Sequence, residues 1–349
     1  MLKVGIVGLP NAGKSTLFND LITKPKAAVA KHPFTTIDKN IGVVNVPNDT
    51  LFKLAKIENI SKVTPTTITF VDIAGLIKGA HAGEGLGNQF LHHIREVDLI
   101  LHLVRFFQDE TVPHVHQQID PEEDMEIVNE ELMLADLQIL ENHLKKDRTA
   151  VEEQPILKKF IDQLNQGILA KEISVDEKEK EIIRQLNLLT LKKQLVVANI
   201  GEEDINKPAK AIKEKPTVSI CAKLESELSE LSWIEQQQFL KDYQIKKTAK
   251  ENIILAAYQS LDLATFYTVA KRAEARAWPI KKGSTAVEAA GKIHTDFAKH
   301  FIKVEVINAQ ELINIGSWQQ AHHLGKINLH GKDYIIQDQD VVEFKVGIK

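Results

Sequence analysis

The segment Gly8-Leu9-Pro10-Asn11-Ala12-Gly13-Lys14-Ser15-Thr16 meets the pattern G-x-x-x-x-G-K-[ST] in full, close to the start of the chain. Before it stands the apolar run LKVGIVG, which reads as a buried strand; after it Leu17, Phe18, Leu21 and Ile22 recur at the spacing of one helix face. Strand, glycine loop and helix form the context in which this pattern holds phosphate. The glycines let backbone N–H groups crowd onto phosphate oxygens, the helix N-terminus adds positive partial charge, and the Lys14 ammonium reaches the outer phosphates. Asn11 to Thr16 are therefore the expected nucleotide-binding run, and Ser15 offers its hydroxyl to Mg²⁺. The expected fold class is α/β, a P-loop nucleotide domain.

A phosphate loop alone does not separate kinases, motor ATPases and switch proteins, so the next carboxylate matters. Residues 66–75 read TTITFVDIAG: a β-branched strand runs into Asp72, and Gly75 follows. Asp72 at a strand end is placed beside the metal, and the Gly75 backbone N–H is placed for the terminal phosphate. Residues 79–87 then hold four glycines, the composition of a segment that orders and disorders with the nucleotide. Between loop and Asp72, Thr35 and Thr36 lie where a hydroxyl could close over the metal. Directly after Gly75, where a water-positioning glutamine commonly stands, this chain has Leu76, which cannot orient a water.

The stretch KQLVVANIGEED (193–204) addresses the base. A guanine-specific switch protein carries Asn-Lys-x-Asp at such a strand end; here the residues are Asn199, Ile200, Gly201 and Glu202. Glu202 is one methylene longer than the Asp that accepts from guanine's ring N–H and 2-amino group, and Ile200 lacks the charged stem that covers the base plane. That bidentate fit is not expected to form, whereas adenine, lacking a 2-amino donor, loses nothing. Asn199 or backbone carbonyls would then read adenine's 6-amino group. A second strand and turn, TVSICAKLESEL, would lay Cys221, Ala222 and Lys223 against the base.

Composition sets the remaining bounds. A chain of 349 residues with 43% hydrophobic and 26% charged residues is long enough for two or three globular domains. The first residues read as a core strand and not as a secretory leader, and no apolar run is long enough to span a membrane. One cysteine, Cys221, fits a cytoplasmic location. The net charge of −4 excludes a generally basic surface, so any RNA contact must come from local patches. From 128 to 190 the pattern turns helical, with Met133, Leu137, Leu140 and Leu144, then Leu157, Ile161, Leu164 and Ile168, at 3–4 spacing. This segment mixes nine Lys/Arg with thirteen Asp/Glu, and because a buried strand resumes after it, it is an insertion. From 277 to 349 short strands alternate with turns and a helix, giving a small mixed domain. Its lysines 281, 282, 292, 299 and 303 cluster in its first third, as either an RNA-binding patch or a solvated face.

Taken together, GLPNAGKSTLFN, PFTTID, DIAGLIKGAHAGEGLGNQFLHHIRE, NIGE and AWPIKKGSTAVEAAGKIHTDF resemble the YchF/Obg-like ATPases, a branch of the translation-factor GTPases, over nearly the whole chain. The resemblance implies a nucleotide domain (1–276) interrupted by a helical hairpin (128–190) and followed by a C-terminal β-grasp domain of the TGS type (277–349). It implies a cytoplasmic, ribosome-associated ATPase, with contact to the large subunit and to RNA through hairpin and TGS domain, acting as a switch in translation or stress regulation. It favours Thr36 as the metal-side threonine and His114, in ETVPHVHQQID, as the group that replaces the missing glutamine. In this class an Asn at the place of Asn11 helps hold K⁺, against the alternative that it only accepts the loop's tight geometry. Two other readings stay open: a nucleotide-sensing regulator without meaningful turnover, and a GTPase with a degenerate base motif.

Overall fold

The computed structural model describes residues 2–22, 41–73, 86–115, 118–145, 150–205, 207, 211–212, 215–243, 245, 247–269 and 273–347. Thr36, Gly75 and Leu76 lie outside the described residues. The chain forms two compact units, residues 1–44 with 68–260, and residues 45–67 with 261–349.

In the first unit, β1 (Leu2–Val7) enters the phosphate loop, α1 (Lys14–Ile22) leaves it, and β2 (Ile41–Asn45) follows. The chain then crosses to the second unit for α2 (Asp49–Ile57) and β3 (Val63–Thr64) before returning as β4 (Thr67–Asp72), α3 (Leu86–Arg95) and β5 (Leu99–Arg105). The helical segment comprises α4 (Pro121–Leu144), α5 (Gln154–Asn165) and α6 (Glu177–Gln185); β6 (Lys193–Asn199), the short pair β7 (Ala211–Ile212) and β8 (Lys215–Pro216), β9 (Val218–Ile220), α7 (Ala222–Glu230), α8 (Trp233–Asp242) and α9 (Ala249–Gln259) complete the unit. Its six-stranded sheet has the order β2-β4-β1-β5-β6-β9, and β4–β1, β1–β5, β5–β6 and β6–β9 run parallel. All of β5 is buried, as a central parallel strand covered on both faces must be. The strand ends that bind ligands in such sheets are the carboxyl ends, and Val7, Asp72, Arg105 and Asn199 all stand there.

Helix α4 joins two cores. It starts at Pro121, capped by Asp120, whose carboxylate accepts from the N–H groups of Glu122 and Glu123; the expected insertion began at 128, inside this helix. Its N-terminal part, through Ile127, Val128, Leu132 and Ala135, packs with Val7, Leu91, Ile94 and Ile100 beneath the sheet. Its C-terminal part, through Met133 and Leu140, packs with Leu157, Phe160 and Leu164 of α5 and Ile183 of α6. The insertion closes on Asp136, fully buried on α4, which accepts from Leu189 N at 2.7 Å, Thr190 N at 2.8 Å and the Thr190 hydroxyl at 2.7 Å.

The second unit holds β10 (Leu263–Thr268), β11 (Ala275–Lys281), α10 (Ala286–Ile293), α11 (Thr295–Lys299), β12 (Phe301–Asn308), α12 (Ala309–Ile315), α13 (Trp318–His323), β13 (Asn328–His330) and β14 (Asp340–Val346). The sheet order is β13-β12-β14-β10-β11-β3. Neighbouring residues alternate between two cores, as a period of two requires: Phe266, Val306 and Val342 pack with Ala286 and Ala289 of α10, while Tyr267, Ile307 and Val341 pack with Leu51 and Leu54 of α2 and Leu312 of α12. A boundary at 277 therefore does not divide this chain. It would cut β11 and would leave out β10, which pairs with β11 from Leu263↔Lys281 to Thr268↔Arg276, together with the 45–67 excursion.

Candidate nucleotide site

The phosphate loop needs backbone that few side chains tolerate. Gly13 lies at φ 98° and Asn11, a residue able to enter the left-handed region, at φ 61°. Gly8 passes so close to the Leu103 carbonyl of β5 that a Cβ there would collide with it. Lys14 opens α1 and is only 8% exposed; its Nζ donates to the Leu9 carbonyl at 2.8 Å. Burial pushes its ammonium down to about 8, with the Asp72 carboxylate acting the other way. Ser15 and Thr16 are exposed at the helix start.

Asp72 ends β4, and the Ser15 hydroxyl donates to its Oδ2 at 3.2 Å. Burial pushes the Asp72 carboxyl up, opposed by the Ser15 hydrogen bond and by Lys14. Two oxygen donors on adjacent element ends fit a hard divalent cation, which takes oxygen ligands and commonly completes its shell with phosphate and water. Among the described residues no group of three His, Cys, Asp or Glu side chains could hold a metal by itself.

The base end departs from expectation in its side chains. Asn199 is 4% exposed, and its amide is committed to protein: Nδ2 donates to the Ala12 carbonyl at 2.9 Å, and Oδ1 accepts from Ala222 N at 3.1 Å. Ile200, expected beside the base, is buried in a small cluster with Ala198 and Cys221, and its N–H donates to the Ile220 carbonyl at 2.8 Å. Burial pushes the Cys221 thiol up, as for an inert core residue. Glu202 is exposed, and its Oε1 lies 2.9 Å from Lys223 Nζ.

His114, expected as the group that replaces the missing glutamine, has a side chain only 7% exposed, and its Nε2 lies 3.0 Å from Oδ2 of Asp124 in the first turn of α4. The loop that carries it is shaped from beneath by Arg105, the 2%-exposed last residue of β5. Its Nε donates to the Phe107 carbonyl at 3.2 Å, Nη2 to Asp109 at 3.2 Å, and Nη1 to Val112 at 3.0 Å and Pro113 at 3.4 Å. From the phosphate loop, Asn11 Nδ2 donates to the same Pro113 carbonyl at 3.0 Å. Sequence reasoning missed Arg105 and Asp124. An arginine closing the apolar run LILHLV was a usable signal, whereas an acid in a first helical turn looks like ordinary dipole chemistry.

Sheet order, phosphate loop and strand-end carboxylate define a P-loop nucleotide-binding protein of the GTPase fold class. A family model described as "50S ribosome-binding GTPase" matches residues 3–143, and the model of the YchF-type GTPase C-terminal domain, described as a protein of unknown function, matches residues 263–347. "Ribosome-binding ATPase YchF" of Bacillus subtilis is 42% identical over 99% of this chain and 100% of its own length; the protein of the same name from Mycoplasma genitalium is 45% identical over the full length of both. The solved structure of the Schizosaccharomyces pombe YchF GTPase covers 99% of this chain and 97% of its own, at 31% identity and a TM-score of 0.86. The chain belongs to the YchF family.

Proposed function

We propose that this protein is a ribosome-associated ATPase, cytoplasmic, which hydrolyses ATP to ADP and phosphate and prefers ATP to GTP. The observation that carries the base preference is the ion pair between Glu202 and Lys223. A guanine reader keeps its carboxylate aimed at two base N–H donors, whereas Glu202 has its charge answered by a lysine in the first turn of α7. With Ile200 in the core and Asn199 bracing two loops, the recognition of adenine falls to backbone groups of 199–202 and 221–223.

Lys14 and the loop N–H groups hold the β- and γ-phosphates. Ser15 and Asp72 would hold Mg²⁺, with Thr36 joining them, and the ion supplies charge neutralisation at the phosphates. In the reaction the water oxygen bonds to the γ-phosphorus as the bond from that phosphorus to the β–γ bridging oxygen breaks; ADP leaves with the bridging oxygen, the water oxygen stays in the released phosphate, and the water's protons pass to that phosphate and solvent. His114 orients the water in place of the glutamine that Leu76 replaces, and the Gly75 N–H donates to the γ-phosphate. Because Asn11 Nδ2 is engaged with Pro113, the atom Asn11 would offer a potassium ion is Oδ1; equal turnover in sodium and potassium salts would remove that part of the reading.

The names of the relatives support a ribosomal partner, and the family description "50S ribosome-binding" favours the large subunit as the docking site; RNA contact through the insertion and the second unit belongs to the same proposal. Lysines 281, 282, 292, 299 and 303 are all exposed on that unit. Calorimetric titration with ATP and GTP, followed by turnover with and without ribosomes, tests the reading. Tighter ATP binding and stimulated turnover are expected; preference for GTP, or turnover indifferent to ribosomes, would overturn its two halves separately.

A further inference from the structure

A water-orienting histidine has to be held, and the His114 loop is held at three points. Arg105 gathers the carbonyls of Phe107, Asp109, Val112 and Pro113 around one guanidinium and lies 4.4 Å over the Phe107 ring. Asn11 ties Pro113, the residue before His114, to the phosphate loop itself. The third point is the imidazole, which meets the Asp124 carboxylate at 3.0 Å with both side chains almost entirely buried.

We propose that Asp124 is the positioning residue for His114. A carboxylate oxygen accepts, so Nε2 carries a proton, and whenever the ring is to accept from a water it is Nδ1 that does so. One hydrogen bond thus sets both the tautomer and the plane of the ring, as an orienting carboxylate does for the histidine of a hydrolytic triad. Asp124 also belongs to the helix whose far end forms the insertion core, so the ring is referenced to α4 on one side and to the phosphate loop on the other. Burial makes the pair consequential: a solvated imidazole would exchange tautomers freely, whereas this one meets a buried carboxylate at its Nε2.

The inference rests on the reading of His114 as the water-orienting group, and a double-mutant cycle separates the two. Full-length Asp124→Asn, nearly identical in shape, is expected to lower kcat on the order of 10-fold with ATP affinity by calorimetry unchanged, because the loop anchors at Arg105 and Asn11 persist. In a His114→Ala background Asp124→Asn should have no further effect on kcat. An equal fold-loss in both backgrounds, unchanged turnover in the single variant, or loss of ATP binding in that variant would each overturn the positioning role. Wild-type turnover in His114→Ala alone would instead overturn the assignment of His114.

Discussion

Asn199 joins the phosphate loop to the base-side turn: its one amide donates to the Ala12 carbonyl at 2.9 Å and accepts from the Ala222 N–H at 3.1 Å. Ala12 and Ala222 are 2% and 3% exposed, so neither backbone group has water to fall back on. Asn199→Ala should therefore cost about 2–4 kcal/mol, the penalty of leaving two buried groups unmade. Asn199→Asp should do no better, since a carboxylate cannot donate to Ala12. Thermal unfolding reads the stability, and ATP titration should show weaker binding because the two loops lose their common brace. A variant as stable as the parent would show that the brace is dispensable.

Lys14 stands at odds with folding. Its ammonium is buried against a carbonyl and held down to about 8, so the folded chain carries a charge it would rather lose. Lys14→Met should abolish turnover and weaken triphosphate binding while leaving the thermal midpoint equal to or above that of the parent. Loss of stability together with binding would mean that the Leu9 hydrogen bond matters more than the desolvation.

Arg105 gives the loop 106–115 its shape. Arg105→Lys keeps the charge but has one nitrogen where the guanidinium has three, and cannot span the carbonyls of Phe107, Asp109, Val112 and Pro113. The expected loss is about 2–4 kcal/mol, with kcat falling through misplacement of His114. Limited proteolysis should find new cleavage between 106 and 115; an unchanged digestion pattern would refute the anchoring role.

What the sequence disclosed follows from how local each signal is. The phosphate loop and Asp72 were legible because a strand end and a glycine pattern are contiguous in the chain. The start of α4 was not read: the apolar spacing was followed only from 128, whereas the helix begins at Pro121 behind the Asp120 cap and buries an acid, Asp124, in its first turn. The excursion 45–67 was not legible: β3 is a two-residue strand that takes its meaning from pairing with Ala275 and Arg276, more than two hundred residues on. Asn199 and His114 were found as residues but not as contacts. The partners of Asn199, Ala12 and Ala222, are backbone groups with no sequence signature, and Asp124 is one acid among several in its turn.

A buried charge cluster gives the nucleotide domain a built-in pH dependence. Glu225 on α7 is 7% exposed and faces Asp20 of α1 and Lys250 of α9; its Oε1 accepts from Ala249 N at 2.7 Å, and Lys250 Nζ donates to the Asp20 carbonyl. Burial first, then the Asp20 charge, push the Glu225 carboxyl up to about 7, with the Ala249 and Lys250 N–H groups and the Lys250 charge opposing. The folded state thus holds a proton that the unfolded chain releases near its ordinary value of 4.5. Stability from this group is complete below about pH 4.5 and is lost as pH rises through about 7, the reverse of a salt-bridged carboxylate, and the full loss is on the order of 3 kcal/mol. Glu225→Gln keeps the acceptor for Ala249 and removes the ionisation. It should raise the thermal midpoint at pH 8 by several degrees, about 2–4 °C per kcal/mol for a unit of this size, and the gain should shrink steadily towards pH 5. Parallel midpoint-versus-pH curves for parent and variant would show that the proton on Glu225 does not govern this domain's stability.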